Sequence, residues 1–224
     1  MRRLVSIATI PFLAPLILFS HAAYIDGSRY YSIPAITLAS VVPVLFILLY
    51  TRSREDREMR EELTARRIFM IVIGIGIISL SKPYRDLGMG TLSKVSIIYG
   101  LGTLIAGIFT LLGHKTSVHV MARSVSGFIE LLLEPLLGIL MIGVSILSGI
   151  SRLKVRAHTK SQVLTGFLIG PLSLGIIIFI RHLFSFRIQD SFEPGWPSQV
   201  KAQAWRACGA PPRPGSNPGP GATE

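Results

Sequence analysis

The chain is poor in charged residues and nearly free of cysteine. Only 16% of its 224 residues are charged, half are hydrophobic, and Cys208 is the one cysteine. A soluble domain carries about a quarter charged residues, so the composition argues against a soluble globular protein. A single cysteine excludes an intrachain disulfide and any metal site built from several cysteines.

What the sequence does contain is long apolar runs without Asp, Glu, Lys or Arg. Five such runs are 17 to 22 residues long: 4–25, 30–51, 95–114, 135–151 and 161–180. A run of about 20 apolar residues crosses the hydrocarbon core as a helix. We therefore predict an all-α, polytopic transmembrane bundle of six to seven spans: 4–20, 33–50, 68–80, 95–112, 117–133, 136–150 and 162–183.

The predicted domain organisation follows these runs. Residues 1–50 form two N-terminal transmembrane helices, the first of which is too long for a typical signal-peptide core. Residues 51–67 form a charged, partly helical cytoplasmic loop, and 68–189 form the transmembrane core. Residues 190–224 are rich in Pro, Gly, Ser and Ala, and this composition predicts a disordered tail.

The net charge of +11 is distributed between the apolar runs and in the tail, so there is no basic domain to lie on nucleic acid. Cytoplasmic loops of membrane proteins are enriched in Lys and Arg. With the N-terminus inside, the short cytoplasmic loops hold 13 positive residues and the external loops hold 4. This asymmetry predicts a multi-pass protein of the cell membrane in which 51–67, Lys115 and 151–161 face the cytoplasm.

The fifth predicted span carries an unusual polar stripe. At 100° per residue, its ionisable and hydroxyl side chains fall within about 80° of one another, and they are His119, Arg123, Ser126, Glu130 and, just beyond the span, Glu134. Charge in lipid is unfavourable, so this stripe is predicted to face the bundle interior. The pairs Gly74-x-Gly76 and Gly100-x-Gly102 lie inside spans and are interpreted as helix-packing positions.

Two histidine-bearing segments, 113–119 and 151–166, are each predicted to precede or begin a helix at one membrane face. Thr159 and Gln162 fit a capping box, so the last helix should begin just after His158. Thr116 or Ser117 is expected to cap the fifth span. Two helix N-termini with nearby cations, namely Lys115, Arg152 and Arg156, predict a site for an anion such as phosphate.

These segments resemble the motifs of a known family. The stretch Ser151-Arg152-x5-His158-x3-Gln162 is similar to the third motif, S-R-x5-H-x3-D, of the type 2 phosphatidic acid phosphatase superfamily. Ser117-Val118-His119 looks like the S-G-H part of that family's second motif. The resemblance covers roughly residues 50–183.

The resemblance implies a phosphatase of lipid phosphates or diphosphates that works without a metal or other cofactor and binds its substrate from the bilayer. It implies His158 as the nucleophile, His119 as the acid that protonates the leaving group, and Arg152 and Ser117 as phosphate binders. Lys115, Arg60 and Arg67 are further candidates for phosphate binding. Gln162 takes the place of the acidic residue that orients the nucleophile, Val118 replaces the glycine of the second motif, and Ile68 stands where the first motif has proline.

Plainer interpretations stay open beside this one. His119 is also compatible with an internal hydrogen-bond network, and His158 with an ordinary loop position. Gln162 has a role as a helix cap, while Arg60, Arg67 and the cations of 151–161 also serve membrane topology. Two other functions remain as alternatives: a non-catalytic phosphatase-like protein that binds lipid head groups, and a small transporter that uses the polar stripe.

Overall fold

The structure is a computed structural model that describes residues 13–43, 45–46 and 59–188, with side chains left out at 29, 59–67, 181 and 183–188. All regular secondary structure in these ranges is helical. The helices are α1 Leu13–Ile25, α2 Ile33–Ile36, α3 Met59–Ser79, α4 Ser81–Asp86, α5 Gly90–Leu111, α6 Val118–Leu133, α7 Pro135–Lys154 and α8 Lys160–Ile188. A 3₁₀ helix, Arg29–Ser32, precedes α2, and a π-helical turn, Thr37–Val41, follows it.

Four stretches of the described chain are long and apolar enough to cross a membrane. They are Ile68–Asp86, Gly90–Leu111, Pro135–Lys154 and Lys160–Ile180. This finding supports a polytopic, all-α membrane protein, but it does not confirm six to seven spans. Parts of the first two predicted spans lie outside the described residues, and the predicted fifth span is α6, a helix of only 16 residues.

Helix α6 is the most deeply buried element of the described bundle. It packs against α1, α5 and α7. The predicted polar stripe faces inward as expected, since Arg123 is 3% exposed and Ser126 and Glu130 are fully buried. Glu134 departs from the prediction because it is exposed. It lies in extended backbone between α6 and α7, where Pro135 begins the next helix.

The first predicted span, 4–20, would let the following loop begin at His21, and this boundary is wrong. Helix α1 continues to Ile25. Within this helix, Nδ1 of His21 lies 2.7 Å from Oε2 of the buried Glu130, and this contact joins α1 to α6. Asp26-Gly27 is a turn signal in the sequence, and the turn is present, with Gly27 at φ +72°. The Asp26 carboxylate also accepts hydrogen bonds from the backbone N–H groups at the start of α5.

Glycines allow the helices to approach closely. A Cβ on Gly74 would lie 2.9 Å from the carbonyl oxygen of Gly100, so α3 and α5 touch backbone to backbone. A Cβ on Gly102 would lie 2.8 Å from the side chain of Val125 on α6. The packing role predicted for the four glycines is confirmed at Gly74, Gly100 and Gly102, as expected for small residues at helix interfaces. A Cβ on Gly76 would meet only the side chain of Leu38, at an ordinary 3.6 Å.

The structure divides into two units, residues 1–180 and 181–224. The first contains α1 to α7 and most of α8. The described part of the second is the last turns of α8, up to Ile188. Helix α3 begins at Met59, so the second half of the segment predicted as a partly helical loop, 59–67, is helical and leads directly into the third predicted span. Residues 51–58 and the predicted tail 190–224 lie outside the described chain.

Candidate functional site

The two histidine-bearing segments meet at one end of the helices. The backbone N–H of Ser117 donates to the carbonyl oxygen of Gln162 at 3.2 Å. Nε2 of His114 lies 2.8 Å from Oγ1 of Thr165, one turn into α8. The start of α6 and the start of α8 are therefore tied together directly, and the structure places the predicted site residues of both segments side by side.

The start of α8 is a capping box built on Thr159 and Gln162. The Gln162 N–H is 3.4 Å from Oγ1 of Thr159, and the Thr159 N–H is 3.3 Å from Oε1 of Gln162. Helix α8 then begins at Lys160, directly after the box. The capping box and the helix start predicted from the sequence are both confirmed.

The same Gln162 oxygen also contacts the imidazole of His158. Nδ1 of His158 lies 3.1 Å from Oε1 of Gln162. Because a backbone N–H already donates to Oε1, that atom is the carbonyl oxygen, which can only accept. Nδ1 of His158 therefore carries the proton. In the neutral ring, Nε2 then holds the free lone pair that a nucleophile needs.

The surroundings of His158 favour this neutral ring. Burial lowers the pKa of His158, and the positive charges of Lys115 and Arg152 lower it further, whereas the hydrogen bond to Gln162 raises it. The net direction is downward from the ordinary value. His158 is thus kept unprotonated under conditions where an exposed histidine would begin to protonate.

His119 belongs to the same cluster. The groups that act on it electrostatically are Arg152, Arg123 and His158. Its side chain is half-buried at the first turn of α6. A bound phosphate anion would offset the positive charge around His119 and favour its imidazolium form, which is the form that donates a proton.

Three polar atoms of the cluster are buried and have no hydrogen-bond partner among the described residues: Oγ1 of Thr116, Oγ of Ser117 and Nε of Arg152. Ser117 occupies the N-cap position of α6, as predicted for Thr116 or Ser117, but its side chain makes no capping hydrogen bond. Buried polar groups are normally satisfied. These hydroxyl and guanidinium groups are available to bind an anion.

The remaining candidate residues are two exposed cations and two arginines whose side chains are not described. Lys115 is exposed, but it lies near enough to His158 to act on it electrostatically. Arg156 is exposed and adopts a φ of +53° in the turn after α7. Arg60 and Arg67 lie on α3, and the structure does not describe their side chains, so a phosphate-binding role for them stays a prediction.

Two features of the site were missed from sequence. His114 fixes the loop before α6, because Thr165 donates its hydroxyl hydrogen to Ser161 O and so accepts from His114. Arg123, noted only as part of the stripe, bonds through Nη1 to Oγ of Ser148 at 2.5 Å. The His114 contact joins residues 51 positions apart, and the Arg123 contact joins residues 25 positions apart. No local sequence pattern signals such pairs.

No protein-family model, no curated protein and no solved structure matches the chain. Within the described ranges, no group of three or more His, Cys, Asp or Glu side chains is placed to hold a metal ion.

Proposed function

We propose that this chain is a membrane-embedded phosphatase of lipid phosphates or diphosphates that works through a phospho-histidine intermediate. One observation carries the proposal. His158 lies near enough to His119 and Arg152 for electrostatic interaction, and its Nδ1 is held by Gln162, which leaves Nε2 free. This is the arrangement that the resemblance to type 2 phosphatidic acid phosphatases implies.

In the first step, Nε2 of His158 attacks the phosphorus atom and the bond from phosphorus to the lipid oxygen breaks. His119 donates a proton to that oxygen, so the lipid leaves as a neutral alcohol or as a lipid monophosphate. In the second step, His119 takes a proton from water, the resulting hydroxide attacks the phospho-histidine, and inorganic phosphate is released. His158 and His119 then regain their starting states.

The phosphate oxygens are bound by the guanidinium of Arg152 and by the hydroxyl of Ser117, with Lys115 at the rim. Arginine suits this task because its planar fork contacts two oxygens of one phosphate. The N-terminal N–H groups of α6 and α8 add a favourable field for an anion. A substrate with an apolar tail reaches this end of the bundle laterally from the bilayer.

The second candidate is a non-catalytic, phosphatase-like protein that binds lipid head groups. It is favoured by Gln162, whose oxygen is shared between the Thr159 N–H and His158. An amide oxygen stabilises an imidazolium less than a carboxylate does. A site used only for binding does not need that stabilisation.

The deciding experiment is phosphate release from polyprenyl and glycerolipid phosphates by the purified protein. His158→Ala should abolish turnover and also the labelling of the protein by substrate phosphate. The label on the wild type should be acid-labile and stable to base, as expected for a phosphoramidate. His182→Ala is the matched control, since His182 is exposed on α8 and should behave as the wild type.

Gln162→Glu is the most informative variant, because it keeps the length and the acceptor oxygen of the capping box while adding a charge. It should raise the rate roughly five- to tenfold, the difference between a neutral and a charge-assisted hydrogen bond. A folded protein that releases no phosphate from any of these lipids, with or without Gln162→Glu, would favour the non-catalytic candidate.

A further inference from the structure

Helix α8 contains a proline, Pro171, well inside its length. Proline has no backbone N–H, so the carbonyl oxygen of Phe167, four residues earlier, loses its helical hydrogen bond. A backbone carbonyl without a partner is unfavourable in a bilayer core, because no water is present there to replace the missing donor. The Phe167 carbonyl therefore needs a donor from elsewhere in the bundle.

That donor is Ser124 of α6. Its side chain is fully buried, and its Oγ donates to the carbonyl oxygen of Phe167 at 2.5 Å. A serine inside a helix often bonds instead to the carbonyl oxygen four residues back on its own helix. Here that oxygen, on Val120, accepts from Ser145 of α7. The carbonyl that Pro171 leaves free is thus the one to which Ser124 donates.

Glycines on α8 bring the two helices close enough for this bond. A Cβ on Gly170 would lie 2.8 Å from the backbone carbonyl carbon of Ser124, and one on Gly166 would lie 2.8 Å from the carbonyl oxygen of Ser117. The two glycines are four residues apart and so lie on the same face of α8. This face is in contact with α6 from the candidate site to the level of Ser124.

The bond from Ser124 is one of two attachments of α8 to α6. The other is at the candidate site, where the backbone N–H of Ser117 donates to the carbonyl oxygen of Gln162. Both helices start at this end and run in the same direction, and Ser124 lies about 10 Å further along α6 than Ser117. A helix attached at one point can pivot about it, whereas two attachments fix its angle.

We propose that Ser124 is a positioning residue for His158 and acts through the angle of α8. Gln162, on the first turn of α8, holds Nδ1 of His158. The bond at Phe167 fixes the direction of that turn and thereby the place of the imidazole. This inference rests on the proposed function for the reaction that His158 performs, and it names a residue that controls the same site through α8.

The test is a double-mutant cycle that follows carbethoxylation of His158 in the purified protein, with the exposed His182 as internal reference. Ser124→Ala should raise the ratio of the two rates about two- to tenfold, because loss of a neutral hydrogen bond lets the half-buried His158 open that much more often. Pro171→Ala restores an N–H for the Phe167 carbonyl. In that background, Ser124→Ala should change the ratio by less than about twofold.

Ser126→Ala is the matched control. Ser126 is also a buried serine of α6, but its Oγ has no hydrogen-bond partner among the described residues. It should leave the ratio unchanged. An equal rise in Ser124→Ala and Ser126→Ala would overturn the inference, and so would an equal effect of Ser124→Ala with and without Pro171→Ala.

Turnover separates this inference from the proposed function. With a lipid phosphate as substrate, Ser124→Ala should lower kcat about two- to tenfold and keep KM within about twofold, because Arg152 and Lys115 are not on α8. A wild type that releases phosphate at a rate unaltered by Ser124→Ala would overturn the inference alone. A wild type that shows the carbethoxylation cycle but releases no phosphate would overturn the proposed function and leave Ser124 positioning His158 in a binding site.

If Pro171→Ala does not fold, hydrogen exchange decides. The backbone amides of residues 160–166 should exchange about two- to tenfold faster in Ser124→Ala than in the wild type, as expected for a helix start that opens more often. Unchanged exchange in this segment would overturn the inference.

Discussion

Protonation of His158 is set by opposing influences that can be altered one at a time. Burial and two cations lower its pKa, while the bond to Gln162 raises it. Removing a cation makes the imidazolium less unfavourable, so the pKa should rise. Lys115→Ala should therefore move the protonation of His158 to higher pH.

The measurement is the pH dependence of carbethoxylation at His158, followed by peptide mass spectrometry, because the reagent attacks only the neutral ring. In the wild type the reaction should persist below the ordinary histidine value of about 6.5 and fall off only at lower pH. Lys115→Ala should lose reactivity at a higher pH than the wild type. Lys154→Ala removes the same charge from an exposed position and should not shift the curve; an equal shift in both variants would point to net charge instead.

The contact between His21 and Glu130 stabilises the bundle at a second place. Glu130 is fully buried, and its Oε2 lies 2.7 Å from His21. His21→Leu would leave this carboxyl group without that partner, which should lower the free energy of unfolding by about 1–3 kcal/mol. Unfolding in detergent micelles, monitored by circular dichroism, measures the loss.

The double variant His21→Leu/Glu130→Leu is the internal check on that prediction. Replacing both partners by apolar groups should restore part of the lost stability, since no buried polar group is then left over. Losses that simply add would show that the two side chains do not interact. Glu134→Leu, at an exposed position, should change little.

At the scale of elements, the site depends on how closely α8 approaches α6. A Cβ on Gly166 would lie 2.8 Å from the carbonyl oxygen of Ser117. Gly166→Ala should therefore push the start of α8 away from α6 and lower stability by about 1–3 kcal/mol. It should also alter the reactivity of His158, since Gln162 lies on the displaced turn.

Gly175→Ala is the control on the same helix. Nothing lies within 4 Å of a Cβ at Gly175. Alanine has the higher helix propensity, so this variant should be neutral or more stable by up to about 1 kcal/mol. A loss of stability equal to that of Gly166→Ala would show that the α6–α8 contact is not what the first substitution disturbs.

The parts of the fold that sequence predicted well are those with local causes. The capping box at Thr159 and Gln162, the turn at Gly27 and the inward stripe on α6 each follow from spacing within one element. The errors come from contacts between elements. Helix α1 runs past His21, whose side chain contacts Glu130, 109 residues away, and no local pattern encodes that pair.

The residues of the candidate site also divide into those joined by local contacts and those joined by contacts between helices. The pairing of His158 with Gln162 is a contact between residues four apart and was visible as a spacing. The hydrogen bond from Arg123 depends on α7 packing against α6, because its partner Ser148 is 25 residues away. Its position in the polar stripe showed that it faces inward, but only the packed helices show what it meets there.

At the scale of the whole molecule, the orientation in the membrane decides which compartment the site opens to. The loops at 112–117 and 155–159 meet at one end of the helices, and the turn at 87–89 between α4 and α5 lies at the other end of α5. The excess of Lys and Arg in the loops on the site's side predicts that this side is cytoplasmic.

A cysteine at Ala157, in a Cys208→Ser background, tests this orientation without disturbing the capping box. Ala157 and Leu87 are both exposed. In intact cells, Ala157→Cys should resist a membrane-impermeant maleimide added outside and react only after the membrane is permeabilised. Leu87→Cys, at the opposite end of α5, should react in intact cells. The reverse pattern would place the site outside the cytoplasm, and phosphate released from a lipid would then leave on the external side.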